Sequence, residues 1–259
     1  MENFITKFLL LPPAVTEHGP QVDSLLLYVH ALMFALFLGW GAFFLFVLYR
    51  FRQKRNPKAD PVGIRGHMSS YLEGVVAILE AILLIAFAVP IWARSASPKN
   101  FPPANESTVV RVIGRQFNWI ARYPGADGTF GMGDAKFVTA QNPLGVDPSD
   151  PKGKDDIVTE TSEVVVPVGK PVIAYISSLD VIHSFSVKSM RVTQDAIPGI
   201  SLPVWFKPTK EGVYQINCAQ LCGNGHANMR GTVKVVSEKE FKEFMAAKAK
   251  TAGAPVSYE

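Results

Sequence analysis

The chain has 259 residues, 48% hydrophobic and 19% charged, with a net charge of +4 and two cysteines. That length admits one large domain or two smaller ones. The charge is modest and partly confined to one basic loop, which argues against nucleic acid as a partner.

The apolar residues are spent unevenly. After an N-terminal segment (residues 1–23), no formally charged side chain occurs from Ser24 to Tyr49. That run exceeds the roughly 20 helical residues needed to cross about 30 Å of hydrocarbon. A second apolar run, Leu72 to Ala93, carries Glu73 and Glu80. Together they predict a transmembrane helical hairpin over 24–97. The loop between them holds Arg50, Arg52, Lys54, Arg55, Lys58 and Arg65, against only Lys7 before the first span. The positive-inside bias therefore predicts a cytoplasmic loop with both flanks of the hairpin facing outward. The first span is too long for a secretory h-region and lacks a basic n-region, so it is expected to be a retained anchor.

From Ser97 the text changes to a proline-bearing linker, "SPKNFPPANES", followed by short runs rich in β-branched and aromatic residues with Gly, Pro and Asp between them. "TVVRVIGRQFNWIARY", "SEVVVPVGKPVIAYISS", "HSFSV", "GVYQINC" and "GTVKVV" carry the composition and punctuation of a β-sandwich or barrel. An all-β domain is expected over 98–236, large enough for its own core. Within it, residues 127–156 read as a solvated surface loop, with calcium as the ligand its aspartates would suit. Residues 237–259 are expected to form a short helix and tail, opened by a capping box at Ser237 and Glu240, with Phe241 and Phe244 on one side.

The chemistry concentrates in "INCAQLCGNGHANMRG", which holds both cysteines, Cys218 and Cys222, with His226 and Met229 close behind. Thiolate, imidazole and thioether are ligands that favour copper over magnesium or calcium, and on a β-sandwich they suit an electron-transfer site. Two cysteines on one tight loop allow both sulfurs to bridge a pair of copper ions. A second imidazole must then come from another loop, and His183 in "SSLDVIHSFSVKSM" is the candidate. His18, His30 and His67 lie in the N-terminal segment, the first span and the basic loop. Two competing readings are a disulfide, the ordinary fate of an exported cysteine pair, and a thiol-redox site, which usually spaces its cysteines as C-x-x-C.

The order "DVIHSFSV", "QDAIPG", "VWF" and then the cysteine loop resembles subunit II of haem-copper cytochrome c oxidases, and the likeness extends over the two-span hairpin. It implies a cupredoxin-like sandwich (a Greek-key β-barrel) with a dinuclear CuA centre of two copper ions. Cys218 and Cys222 would bridge the coppers, His183 and His226 would each bind one, and Met229 and the Gln220 backbone carbonyl would be weak ligands. Asp180 would orient an imidazole, and Asp195 would lie at the contact with the catalytic subunit; a turn role is the alternative for both. Glu73 would stand at the mouth of a proton path, with a headgroup-level charge as its alternative, and Glu80, where relatives usually have proline, has no assigned role. Phe117 stands where relatives commonly have the tryptophan of electron entry, and Trp119 matches the second aromatic.

By the same likeness, the partners would be a haem-bearing oxidase subunit I, subunit III, membrane lipid, and a cytochrome c or cytochrome-c-bearing subunit as donor. Haem would reside only in partner subunits, since the chain lacks a third cysteine for a C-x-x-C-H motif. The location implied is a bacterial inner membrane with the β-domain periplasmic. Gln220 replaces a glutamate that in many relatives helps bind magnesium at the subunit I contact, which puts that ion in doubt. Val76 and Ala77 replace a Trp-Thr pair. The alternatives are a CuA module of another respiratory reductase and a copper-free quinol-oxidase-type subunit.

Overall fold

Two units make up the molecule, one holding Gln21–Arg94 and the other Leu11–Pro20 together with the chain from Ser95 onward. The computed structural model describes residues 7–8, 10–58, 62–63, 66–139 and 142–250. Arg65 of the basic loop and the expected tail beyond residue 250 lie outside the described residues.

In the first unit, α1 (Gly19–Arg50) and the helical stretch Met68–Ala96 are long and apolar enough to cross a membrane. Large side chains such as Phe34, Phe37, Phe44 and Leu45 are exposed on α1. A helix that is apolar all round is stable only where lipid or protein covers it. The chain leaves α1 through a polar stop: the Asn56 side-chain amide donates to the Arg50 carbonyl at 2.6 Å, and Arg52 and Arg55 stack over Tyr49. The second stretch is not one uninterrupted α-helix. It runs as α2 (Met68–Ile82), a π-helical segment (Leu83–Ala88) and α3 (Val89–Ala96). Pro90 is the physical reason: it has no N–H for the Ala86 carbonyl and its ring crowds that oxygen, so the preceding turns widen.

The second unit is a sandwich of two five-stranded sheets. Its strands are β1 (Thr108–Arg115), β2 (Asn118–Tyr123), β3 (Ile157–Thr159), β4 (Glu163–Pro167), β5 (Val172–Ser178), β6 (His183–Val187), β7 (Val192–Ala196), β8 (Leu202–Phe206), β9 (Gly212–Cys218) and β10 (Arg230–Val236). One sheet has the order β3-β2-β1-β5-β8 and the other β4-β10-β9-β6-β7. The β1–β5 and β10–β4 pairs are parallel and the rest antiparallel. This is the cupredoxin-like arrangement. Trp119, Tyr123, Phe185, Phe206 and Ile216 fill the space between the sheets, each buried apolar side chain contributing roughly 1.5–3 kcal/mol.

Helix α4 (Glu238–Ala249) begins at the predicted capping box: the Glu240 N–H donates to Ser237 Oγ, and the Ser237 N–H donates to Glu240 Oε2. Phe241 and Phe244 pack edge-on against Tyr123, with ring centres 6.4 and 5.9 Å away.

Two features differ from the sequence expectation. Residues 11–18 are a strap on the sandwich rather than a separate segment. The Val15 N–H donates to the Ser189 carbonyl at 2.9 Å, Thr209 donates back to the Val15 carbonyl at 2.8 Å, and Thr16 Oγ1 donates to the Met190 carbonyl. The loop of 127–156, expected to be solvated, closes over a buried ion pair. Arg122 donates through Nε to Asp156 Oδ2 at 3.0 Å, and the Gly131 N–H donates to the same oxygen. Among the described residues its aspartates do not converge as metal ligands. Asp127, Asp134 and Asp147 instead accept N–H groups two residues on, as local turns.

Candidate metal centre

Three loops meet at one end of the sandwich. The two-residue turn Gln116–Phe117 joins β1 to β2, residues 179–182 join β5 to β6, and residues 219–229 join β9 to β10. The first two are tied where the Leu179 N–H donates to the Gly114 carbonyl at 3.0 Å. His183 opens β6 and Cys218 closes β9, strands that pair through Phe185 and Cys218. Strand pairing thus brings residues 35 positions apart to one point.

There, one ligand atom each from His183, Cys218 and Cys222 lies within 4.8 Å of the others. His183 Nδ1 is 3.9 Å from Cys218 Sγ, and His226 Nδ1 is 3.6 Å from Cys222 Sγ. Met229 Sδ is 3.7 Å from Cys222 Sγ, and the Gln220 carbonyl is 3.1 Å from Cys218 Sγ. The two sulfurs are 3.8 Å apart and neither is in a disulfide, against about 2.05 Å for a bonded pair. His183, Met229 and Cys222 are buried, and Cys218 and His226 are partly covered. All six sequence-predicted ligands therefore converge here.

The surroundings prepare these atoms for a soft cation. Asp180 Oδ1 accepts from His183 Nε2 at 2.8 Å, and because a carboxylate only accepts, the neutral ring carries its proton there and turns the Nδ1 lone pair toward the sulfurs. Partial burial pushes the Asp180 carboxyl up, but the Gln116 N–H, the His183 ring and the Val181 N–H outweigh it and hold Asp180 below the usual carboxylate range. Burial, with the neighbouring Cys218 sulfur, pushes the Cys222 thiol up to about 11. A metal that binds the Cys222 sulfur must therefore displace its proton to do so. Gly114 makes room for the ring, since a Cβ there would lie 2.8 Å from His183 Cδ2. The donor set, the unbonded sulfurs and this cradle fit copper.

Trp119 stands edge-on to His183, ring centres 6.1 Å apart, and is fully buried. It offers no surface to a donor, whereas Phe117 is 39% exposed and lies against the cysteine loop. Asp195 sits on β7 opposite Ser184 and is not among the groups that close round the sulfurs. Glu73 and Glu80 belong to α2 of the helical unit, and Glu80 lines a cavity of about 270 Å³ there with Val29, Leu36 and Leu84. Sequence reasoning missed Gln116. Its amide Nε2 donates to the Cys222 carbonyl at 2.6 Å and its backbone N–H donates to Asp180 Oδ2 at 2.7 Å; a lone glutamine beside an aromatic carries no pattern to find.

Residues 108–236 match the family described as cytochrome c oxidase subunit II, periplasmic domain. A cytochrome c oxidase subunit 2 from Thermostichus vulcanus is 32% identical, the alignment taking in 95% of this chain and 81% of the relative. A probable cytochrome c oxidase subunit 2 from Rickettsia prowazekii is 30% identical over 93% of this chain and 72% of that one. An alternative cytochrome c oxidase subunit 2 from Bradyrhizobium diazoefficiens is 36% identical over 57% of this chain, which spans about half of that relative (53%). With these relatives, a sandwich of this topology and two membrane-length helices, the chain belongs to the cytochrome c oxidase subunit II family.

Proposed function

We propose that this chain is the electron-input subunit of a terminal haem-copper oxidase. It would accept electrons from a cytochrome c, or a cytochrome-c-bearing subunit, and deliver them to haem in subunit I, where oxygen is reduced to water and protons are translocated. The observation that carries this reading is the convergence of two unbonded sulfurs, two imidazoles, a thioether and a carbonyl at one end of the sandwich.

Cys218, Cys222, His183, His226, Met229 and the Gln220 carbonyl would together hold two copper ions. A dinuclear copper centre, when bound, supplies a one-electron store shared between two soft-ligated metals. The chain's own residues supply rigidity and dryness. Asp180 fixes the His183 ring, Trp119 stands edge-on to that ring and is itself packed edge-on against Phe185, and buried Met229 lies against Cys222. Phe117 would be the aromatic nearest the donor.

The helical pair would anchor the protein in a bacterial inner membrane with the sandwich on the periplasmic side. The same pair would pack against subunit I, with subunit III as a further neighbour. Glu73, at the start of α2, would serve proton entry. Gln220 keeps the carbonyl that copper needs but brings no charge for magnesium.

The full chain purified in detergent and loaded with copper is expected to hold about two coppers and to give a mixed-valence paramagnetic resonance spectrum split by two equivalent nuclei. Cys218→Ser and Cys222→Ser should each abolish that species. A disulfide joining the two sulfurs in the purified protein, with no copper taken up after its reduction, would overturn the reading.

A further inference from the structure

We infer that Gln116 is the positioning residue that holds the two halves of the metal centre in register, an inference that rests on the copper reading above. The halves come from distant parts of the chain. His183 and Asp180 belong to the β5–β6 side, whereas Cys222 and His226 lie on the β9–β10 loop, between strands. Gln116 bonds both. Its backbone N–H donates to Asp180 Oδ2 at 2.7 Å, and the other Asp180 oxygen accepts from His183 Nε2 at 2.8 Å. Its side-chain amide donates to the Cys222 carbonyl at 2.6 Å across 106 positions of sequence.

The packing is built for this contact. A Cβ on Gly223 would lie 2.9 Å from Gln116 Nε2, and one on Gly225 would lie 2.4 Å from the Phe117 ring. Two glycines thus let the Gln116–Phe117 turn seat directly on the cysteine loop. An uncharged amide suits the task because it fixes the Cys222 backbone, and so the origin of its sulfur, without altering the charge around a metal that gains and loses one electron. A ligand held in this way moves little between the two redox states.

Two variants separate the tether from the fold. Gln116→Met keeps side-chain length and the backbone bond to Asp180 but removes the donor. Gln116→Glu sets a carboxylate oxygen against the Cys222 carbonyl. In the full chain in detergent, both should release copper to excess chelator about 10-fold faster than the parent, the range typical when a partner behind a ligand is lost. Both should also change the hyperfine splitting and midpoint potential, while the copper-free proteins melt at the parent's temperature. Parent-like spectrum, potential and release rate in both variants would overturn the inference. So would faster release with an unchanged spectrum and potential and a lowered copper-free melting temperature, which marks a structural role alone. A parent chain that takes up no copper would instead sink the reading beneath it.

Discussion

In the β-sandwich, Arg122 and Asp156 bury a cation against an anion, whereas His183, Cys218 and Cys222 bury donor atoms that face one another unbonded at 3.8–3.9 Å. The first cluster pairs opposite charges through one oxygen: Asp156 Oδ2 accepts from Arg122 and from the Gly131 N–H while Oδ1 is buried without a hydrogen bond among the described residues, Arg122 also donates to the Gly131 carbonyl, and the Phe130 ring lies beneath the guanidinium. The second gathers groups whose bonding capacity is directed inward at one point and whose outward sides are already held, as His183 is by Asp180 and Cys222 is by Gln116. Burial of polar groups alone therefore does not mark a functional site. A convergence of soft donors, each held in place by a neighbour, does.

Each cluster can be perturbed without touching the other. The largest effect on stability is expected at the buried ion pair. Arg122→Met leaves a carboxylate that burial already pushes up without its cation, at a cost of about 3–5 kcal/mol, and adding Asp156→Leu should recover most of it. Denaturant unfolding of the detergent-solubilised chain reads this, and the folded fraction should bind copper as the parent does. A loss of copper beyond the loss of folded protein would mean that the clusters are coupled.

Asp180→Asn tests the opposite end. It sets an amide N–H against either the Gln116 N–H or the His183 Nε2–H, so copper affinity should fall about 10-fold with little change in copper-free stability. Chelator competition beside thermal melting separates the two. The smallest effect is expected at the strap. Burial holds the His18 imidazole below 6.5, outweighing the pull of the Arg191 backbone and Glu17. The unfolded chain then binds the extra proton first, so this contribution is fully present above about pH 6.5 and is lost as the pH falls further. Melting at pH 7.5 and 5.5 should show a smaller acid loss in His18→Gln than in the parent; equal losses would remove His18 from the account.

The parts that could be read from sequence were those with local spacing. An uncharged run marks a membrane-length helix because hydrocarbon tolerates no bare charge, and β-branched runs with turn residues marked most of the strands. The Ser237–Glu240 box lies within a single helical turn. The metal cluster was readable because five of its six ligands fall within twelve positions, Cys218 to Met229. Features made by long-range contact were not readable. Asp156 looks like any loop aspartate until Arg122, 34 positions earlier, is folded beneath it. Val15 and Thr16 show no strand periodicity because their partners lie beyond residue 188. The π-helical segment needed Pro90 to be weighed within a helix rather than counted as an apolar residue.

The strap has a consequence for topology. Backbone amides at Val15 and Thr209 exchange hydrogen bonds with carbonyls on opposite flanks of the helical pair, and such bonds cannot be made through a bilayer. Whatever membrane the intervening residues enter, they must return to the side they left, so the number of crossings is even. The parity is written in two hydrogen bonds, independently of any bias in the placement of lysine and arginine.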